Sequence, residues 1–280
     1  MTGDRFRPWL ELWDLVPDGE PFTTQYTKSW LLPVRQHGAP AMLKLAYGAE
    51  EIRGGGVMEW WDGDGAAYVL AHKGEALLLE RAGGERSLVK MAQGGPEGDE
   101  AATRIICEAV ARLHAPRDEP PPRDVVPLKL WFRELRPMAE KLGGVLADAH
   151  KAAETLFLVP QDVVVLHGDI HHDNILDFGP RGWLAIDPKG LKGERGFDYA
   201  NLFCNPDIAV TASRPGRLQR HVEIVSKLAE IEPTRLLMWI LAYSGLSAAW
   251  ILGDGSGDSA EIDLTIAQVA AAELAQTSVL

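Results

Sequence analysis

Cysteine is nearly absent: the 280 residues include only Cys107 and Cys204. Two distant thiols without metal-ligand spacing exclude a disulfide framework, and they fit a reducing compartment, the cytoplasm. Positive charge is also scarce. Lys and Arg number 28 against 40 Asp and Glu, a net charge of −12. Nucleic-acid binders show a basic face, so no nucleic-acid partner is expected. The acidic balance fits a cationic small molecule, though a plain soluble surface accounts for it more simply. The start, MTGDRFRPWLELWDL, has no apolar core of the kind a targeting segment needs. Leu236–Leu252 is uncharged throughout, and a membrane span needs about 20 such residues. With Arg235 and Asp254 beside it and Ser244, Gly245 and Ser247 inside it, the run reads as a buried helix, and no membrane partner is expected.

Against these absences one stretch is crowded: VVVLHGDIHHDNILDFGPRGWLAID, from Val163 to Asp187. An apolar run ends in His167, Asp169, His171, His172, Asp173 and Asn174, then apolar alternation returns and stops on Asp187. Burying an uncharged polar group without a partner costs roughly 2–7 kcal/mol, and a charge costs more. Stability alone gives no reason for the crowding; chemistry does.

The chain around this stretch divides by pattern. Thr23–Val34 and Ala39–Ala46 predict a hairpin about an RQHG turn, and Ala66–Arg81 predicts a second, turning at His72-Lys73-Gly74. Between them Gly48–Trp61 is helical at its ends but weakened by Gly54, Gly55 and Gly56, each costing about 1 kcal/mol relative to alanine. Residues 82–98 are Gly-rich and polar, a linker. From Asp99 the pattern is helical. Ala102, Ile105, Ile106, Ala109, Val110 and Leu113 share one face, and further helices are predicted near Leu128–Phe157, Arg217–Ile231, Pro233–Leu252 and Ser259–Ala275. The expectation is an α+β chain: a β-rich lobe over 1–81, a hinge over 82–98 and a helical lobe over 99–280, acting as a monomer or weak dimer.

Within the crowded stretch, Val163–Leu166 reads as a strand. Ile175–Asp177 and Trp183–Ile186 form a hairpin about Phe178–Gly182. Such a hairpin brings Asn174 and Asp187 together beside Asp169, and two oxygen donors about one point suit a hard cation such as Mg²⁺.

HGDIHHDN resembles the protein-kinase catalytic loop H-R-D-x-x-x-x-N, with Gly168 in place of the arginine, and Ile186-Asp187-Pro188 stands where that fold has D-F-G. The match is closer to the aminoglycoside phosphotransferase family. Within it, GWLAIDPKGLKGERGFDYANLF resembles the streptomycin 6-kinase and hydroxyurea phosphotransferase branch. AMLK, LLLERAG, RLH and LSAAW occur in the expected order, so the resemblance covers most of the chain.

The resemblance implies a protein-kinase-like bilobal fold and transfer of the γ-phosphoryl of ATP to a small-molecule hydroxyl, streptomycin or a related aminoglycoside. It implies Asp169 as catalytic base, and Asn174 and Asp187 as Mg²⁺ ligands. Lys44 would hold phosphates, with Glu51 as its partner in preference to Glu50 or Glu59. His167 and Asp198 would support the loop. Glu80 and Ala82 lie in the segment facing adenine. The phosphate-covering stretch TTQYTKSW has no glycine, so Thr27, Lys28 and Ser29 are the candidate donors there. Asp254, Asp258, Glu261 and Asp263 are candidate contacts for a cationic acceptor, although Asp258 also suits a helix cap and the others a solvent-facing role.

Two other classes start from the same residues. Gly168-Asp169-Ile170-His171 opens metallophosphoesterase sites as well, but these need further His and Asn clusters, and after residue 187 only His221 remains. A binding module on a degenerate kinase fold usually loses the lysine, the base or a metal ligand; Lys44, Asp169, Asn174 and Asp187 are all present. Within the kinase class, hydroxyurea, a sugar or a choline-like alcohol is the alternative acceptor.

Overall fold

Burial alternates along Trp30–Gln36, the pattern of a strand with one face covered, and this strand lies within a sheet. The computed structural model describes residues 5–23, 29–206, 209–255 and 259–277. Its sheet comprises β1 (Leu15–Pro17), β2 (Phe22–Thr23), β3 (Trp30–Gln36), β4 (Ala39–Leu45), β5 (Val69–Lys73) and β6 (Ala76–Glu80). The order is β1-β3-β4-β6-β5, β2 pairs β3, and every pair is antiparallel. The second hairpin turns at Gly74-Glu75, since Lys73 pairs with Ala76, one residue later than the composition predicts.

Successive side chains leave opposite faces of a strand. Leu32, Val34, Ala41, Leu43, Ala76 and Leu78 therefore pack one way, against Leu15 and against Phe6 beside α1 (Arg7–Leu12). Leu77 and Leu79 pack the other way, into the main core with Val57, Met58 and Trp61. Lys44 follows the inward Leu43 and so faces α2 (Ala49–Trp61).

That helix is unbroken despite its three glycines. An added Cβ at Gly54 would lie 2.0 Å from the Pro188 carbonyl oxygen, and one at Gly55 would lie 2.9 Å from the His72 ring. The glycines admit neighbours that offset their propensity cost, which the sequence pattern does not reveal.

The stretch 82–98, expected as a linker, holds α3 (Leu88–Gln93), capped by Ser87, and the start of α4 (Pro96–Leu113). Six residues are too few to display a period, and Pro96 at the first turn moves the start of α4 upstream of Asp99. The larger lobe adds α5 (Leu128–Trp131), α6 (Leu135–Leu142), α7 (Gly144–Leu158), α8 (Gly196–Ala200), α9 (Ala209–Ala212), α10 (Arg217–Ala229), α11 (Pro233–Asp254) and α12 (Glu261–Thr277). Helix α11 is long and apolar enough to cross a membrane by length and composition, but 67% of its apolar window is buried inside the protein.

Five short strands carry the crowded stretch. β7 (Val126–Pro127), β11 (Leu191–Glu194) and β8 (Val163–Leu166) form one sheet, with β11 in the middle. β9 (Ile175–Asp177) and β10 (Trp183–Ala185) form the expected hairpin. Arg181 Nη2 donates to Gly63 O at 2.7 Å and Arg86 clamps Asp177 at 2.7 and 2.9 Å, tying this hairpin to the smaller lobe and to the linker.

Candidate active site

The apolar strand β8 ends at Leu166, and Gly168 then turns the chain with φ +84°. A side chain there would meet Leu191 at 2.8 Å, which is why glycine stands in the arginine position of the kinase loop. Beneath the turn Asp198 is buried, accepting the backbone N–H groups of His167 (2.9 Å) and Gly168 (2.8 Å) and pairing with His114 Nε2 (2.8 Å). A buried carboxylate with three donors is satisfied and fixes the backbone it holds.

His167 is fully buried and stacked on Trp61, with ring centroids 6.0 Å apart. Burial pushes its pKa below the ordinary value. Its Nε2 meets Ile186 O at 2.8 Å and its Nδ1 accepts Asp169 N–H at 3.2 Å, a pattern that fits the neutral ring protonated on Nε2. This ring joins the two halves of the site.

Asp169 is partly exposed. Asn201 Nδ2 donates to its Oδ1 at 3.1 Å. Asn174 Nδ2 donates to its carbonyl at 2.9 Å and approaches Oδ2 at 3.4 Å. With the amide nitrogen so engaged, the Asn174 amide oxygen is the atom left for a cation. Ile186 N–H donates to Asn174 O at 2.9 Å, and Asp187 follows in the left-handed region at φ 63°. The hairpin thus delivers Asn174 and Asp187 to one place, as its length requires.

Lys44 bonds both Glu51 and Asp187. Of the three candidate partners, Glu50 is exposed and Glu59 bonds His72 at 2.8 Å, so Glu51 is the acid that reaches the lysine. Lys189 completes the cluster, 2.9 Å from Glu51 Oε1 and 3.5 Å from Asp169 Oδ2. Burial raises the Asp187 carboxyl pKa, but the Lys44 and Lys189 ammoniums outweigh it and hold it below the ordinary value. Burial likewise lowers the Lys189 pKa, and Asp169, Asp187 and Glu51 overcome that and raise it.

Other candidates fall elsewhere. Thr27, Lys28 and Asp258 lie outside the described residues. Ser29 is a correction: it is fully buried, and its hydroxyl donates to Glu51 at 3.3 Å and accepts from Tyr47 N–H at 2.9 Å. It braces the acid instead of facing a phosphate. Glu80 spends its N–H on Tyr68 O (3.0 Å) and its carboxylate on Tyr68 N–H (2.7 Å) and Arg181. Asp254 and Glu261 are both exposed.

Lys189 and Asn201 were not legible as site residues in the sequence. Asp263 is the buried acid of α12; after burial itself, Asp169 and Cys204 and then Asp263 raise the Tyr243 phenol pKa. Only the position of Lys189 immediately after I-D-P hinted at its role.

A magnesium ion fits this donor set. Among the described residues no group of three or more His, Cys, Asp and Glu could hold a metal. Mg²⁺ needs no such cage, since it takes one or two protein oxygens and fills the rest with water and phosphate. Asp187 has a second carboxylate oxygen beyond the one bonded to Lys44, and Asn174 has its amide oxygen.

Comparison with known proteins agrees with the geometry. The aminoglycoside/hydroxyurea antibiotic resistance kinase family matches residues 12–255. A streptomycin 3''-kinase of Klebsiella pneumoniae is 50% identical over 92% of this chain and 97% of its own. A streptomycin 6-kinase of Streptomyces griseus is 26% identical over 94% of this chain and 87% of its own. A thermostable mutant of aminoglycoside phosphotransferase APH(4)-Ia, solved with ADP and hygromycin B, superposes with TM-score 0.63 at 13% identity, covering 94% of this chain and 97% of that one. That likeness shows the fold, the protein-kinase-like bilobal arrangement. On the family match and the close relative, this chain is a small-molecule phosphotransferase of the aminoglycoside/hydroxyurea antibiotic resistance kinase family.

Proposed function

We propose that the protein transfers the γ-phosphoryl of ATP to a hydroxyl of streptomycin in a Mg²⁺-dependent reaction. The observation that carries the substrate is the 50% identity, over nearly the whole chain, to a streptomycin 3''-kinase. A surface of net charge −12 suits a guanidinium-bearing acceptor. Both free thiols are buried, in keeping with action in the cytoplasm, where ATP is abundant.

Phosphoryl transfer asks a protein mainly for position and charge compensation. Lys44, steadied by Glu51, would hold the nucleotide phosphates, and main-chain groups near Ala82 would meet the adenine edge. Mg²⁺, held by Asn174 and Asp187, would neutralise charge on the phosphate oxygens. Asp169 would orient the acceptor hydroxyl and take its proton, its carboxylate aimed by Asn201 and Asn174. His167 and Asp198 would keep the loop in register without touching substrate.

The test is incubation with ATP, Mg²⁺ and streptomycin, following ADP release and identifying the product by mass and NMR. A phosphorylated streptomycin is expected. The relatives name two acceptor positions, 3'' and 6, and the NMR spectrum assigns which is used. No ADP release with streptomycin, alongside turnover of hydroxyurea or another alcohol, would refute the substrate and leave the reaction class standing.

A further inference from the structure

We infer that Lys189 is a catalytic residue whose ammonium contacts the phosphoryl group in flight; the inference rests on the phosphotransferase reading above. The transferring group spreads negative charge over its equatorial oxygens and needs a cation beside the in-line path. Lys44, held by Glu51 and Asp187, is already assigned to the α- and β-phosphates. Within the loop His172 is buried, and His171 Nε2 stands 4.0 Å from Asp169 Oδ2. Among the described residues, Lys189 is the only lysine or arginine whose charged nitrogen lies within 4 Å of the Asp169 carboxylate, at 3.5 Å. Asp169 must meet the acceptor hydroxyl where it joins phosphorus, so a cation at that distance flanks the same path.

The side chain is free to turn toward a phosphate because neither partner is stranded when it leaves. Glu51 keeps Lys44 and Ser29. Asp169 keeps Asn201 and Asn174. The backbone stays fixed, with Lys189 N–H donating to His167 O at 2.7 Å and the preceding carbonyl seated against Gly54. A lysine carries three rotatable donors on a flexible stem, which suits a group moving along a reaction path.

In the step, the acceptor oxygen bonds to the γ-phosphorus and the bond from that phosphorus to the β–γ bridging oxygen breaks. The electron pair leaves on ADP, the hydroxyl proton goes to Asp169, and Lys189 keeps its protons throughout.

The experiment uses the full chain carrying Lys189→Met or Lys189→Arg. It measures kcat and KM with streptomycin, together with Kd for Mg-ADP and for the Mg complex of the β,γ-imido analogue of ATP. Removing one preorganised donor to developing charge costs about 100- to 1000-fold in kcat, and that loss is expected for Lys189→Met. ADP binding should hold while the analogue, which carries a γ-phosphoryl, binds about tenfold more weakly. Lys189→Arg should recover most of kcat. A Lys189→Met enzyme with wild-type kcat overturns the inference. So does an equal loss of ADP and analogue binding with a fall in Tm, which would mark a structural brace. Wild-type protein that binds no ADP overturns this inference and the ATP reading together; active wild type with an indifferent Lys189→Met overturns this one alone.

Discussion

Helix α2 contains a matched pair of sites for testing why its glycines are there. A Cβ added at Gly56 would meet nothing within 4 Å, whereas at Gly54 such an atom would lie 2.0 Å from the Pro188 carbonyl oxygen. Gly→Ala in a helix interior gains about 0.8–1 kcal/mol from backbone entropy. At Gly56 that gain is unopposed, so Gly56→Ala should stabilise by close to ~1 kcal/mol. At Gly54 the helix must shift away from Pro188, and overpacking of this kind costs about 1–3 kcal/mol. Gly54→Ala should therefore come out up to about 2 kcal/mol less stable, after subtracting the propensity gain. The shift also moves Glu51, one turn earlier on the helix, relative to Lys44 and Lys189, so turnover should fall even where the protein stays folded. Urea melts give the stability of each variant, and ADP release gives the activity. If Gly54→Ala melts at or above Gly56→Ala and keeps full activity, the close approach has no role and the argument about this helix fails.

Three further outcomes follow from the site. Asp169→Asn should lose about 100- to 10,000-fold in kcat, the usual worth of a general base, with little change in Tm because the residue is partly exposed. Asp198→Ala strands the N–H groups of His167 and Gly168. At about 1–3 kcal/mol for each unsatisfied buried donor, it should lower stability by several kcal/mol in a urea melt and abolish turnover. Burial, aided by Arg217, holds His172 at about 3 against an ordinary 6.5, so the folded protein carries it neutral. The unfolded chain binds this proton first, so the contribution is whole above pH 6.5 and is lost as pH falls toward 3. Between pH 7.5 and pH 5 the loss from this residue is about 2 kcal/mol. His172→Leu should flatten the pH dependence of the urea midpoint by that amount, and an unchanged dependence would refute the assignment.

Much of the site could be read from the chain because it is local. A strand, a loop and a hairpin within twenty-five residues carry Asp169, Asn174 and Asp187, and strand geometry alone makes the last two meet. What escaped depends on distant packing. Glu51 could be set apart from Glu50 and Glu59 only once Lys44 and the helix were in place. Ser29 looked like a phosphate donor, but its environment is an acid and a backbone amide from other elements. The Gly54–Gly56 run reads as a weak helix until Pro188 and His72 arrive from elsewhere. Acids near the C-terminus were legible as acids, but which one turns inward depends on the face of α12 that packs, and that acid is Asp263.

Helix α2 is fastened along its whole length to the segment that carries Asp187. Glu51 is held near one end, and Trp61 stacks on His167 at the other. Just beyond, Ala67 N–H donates to Ala185 O at 3.0 Å and Ala185 N–H to Gly65 O at 2.9 Å. Protein kinases are controlled in part by moving the helix that bears the acidic partner of their phosphate-binding lysine. Here such a displacement would have to break the Glu51, Trp61 and Gly65–Ala67 fastenings together.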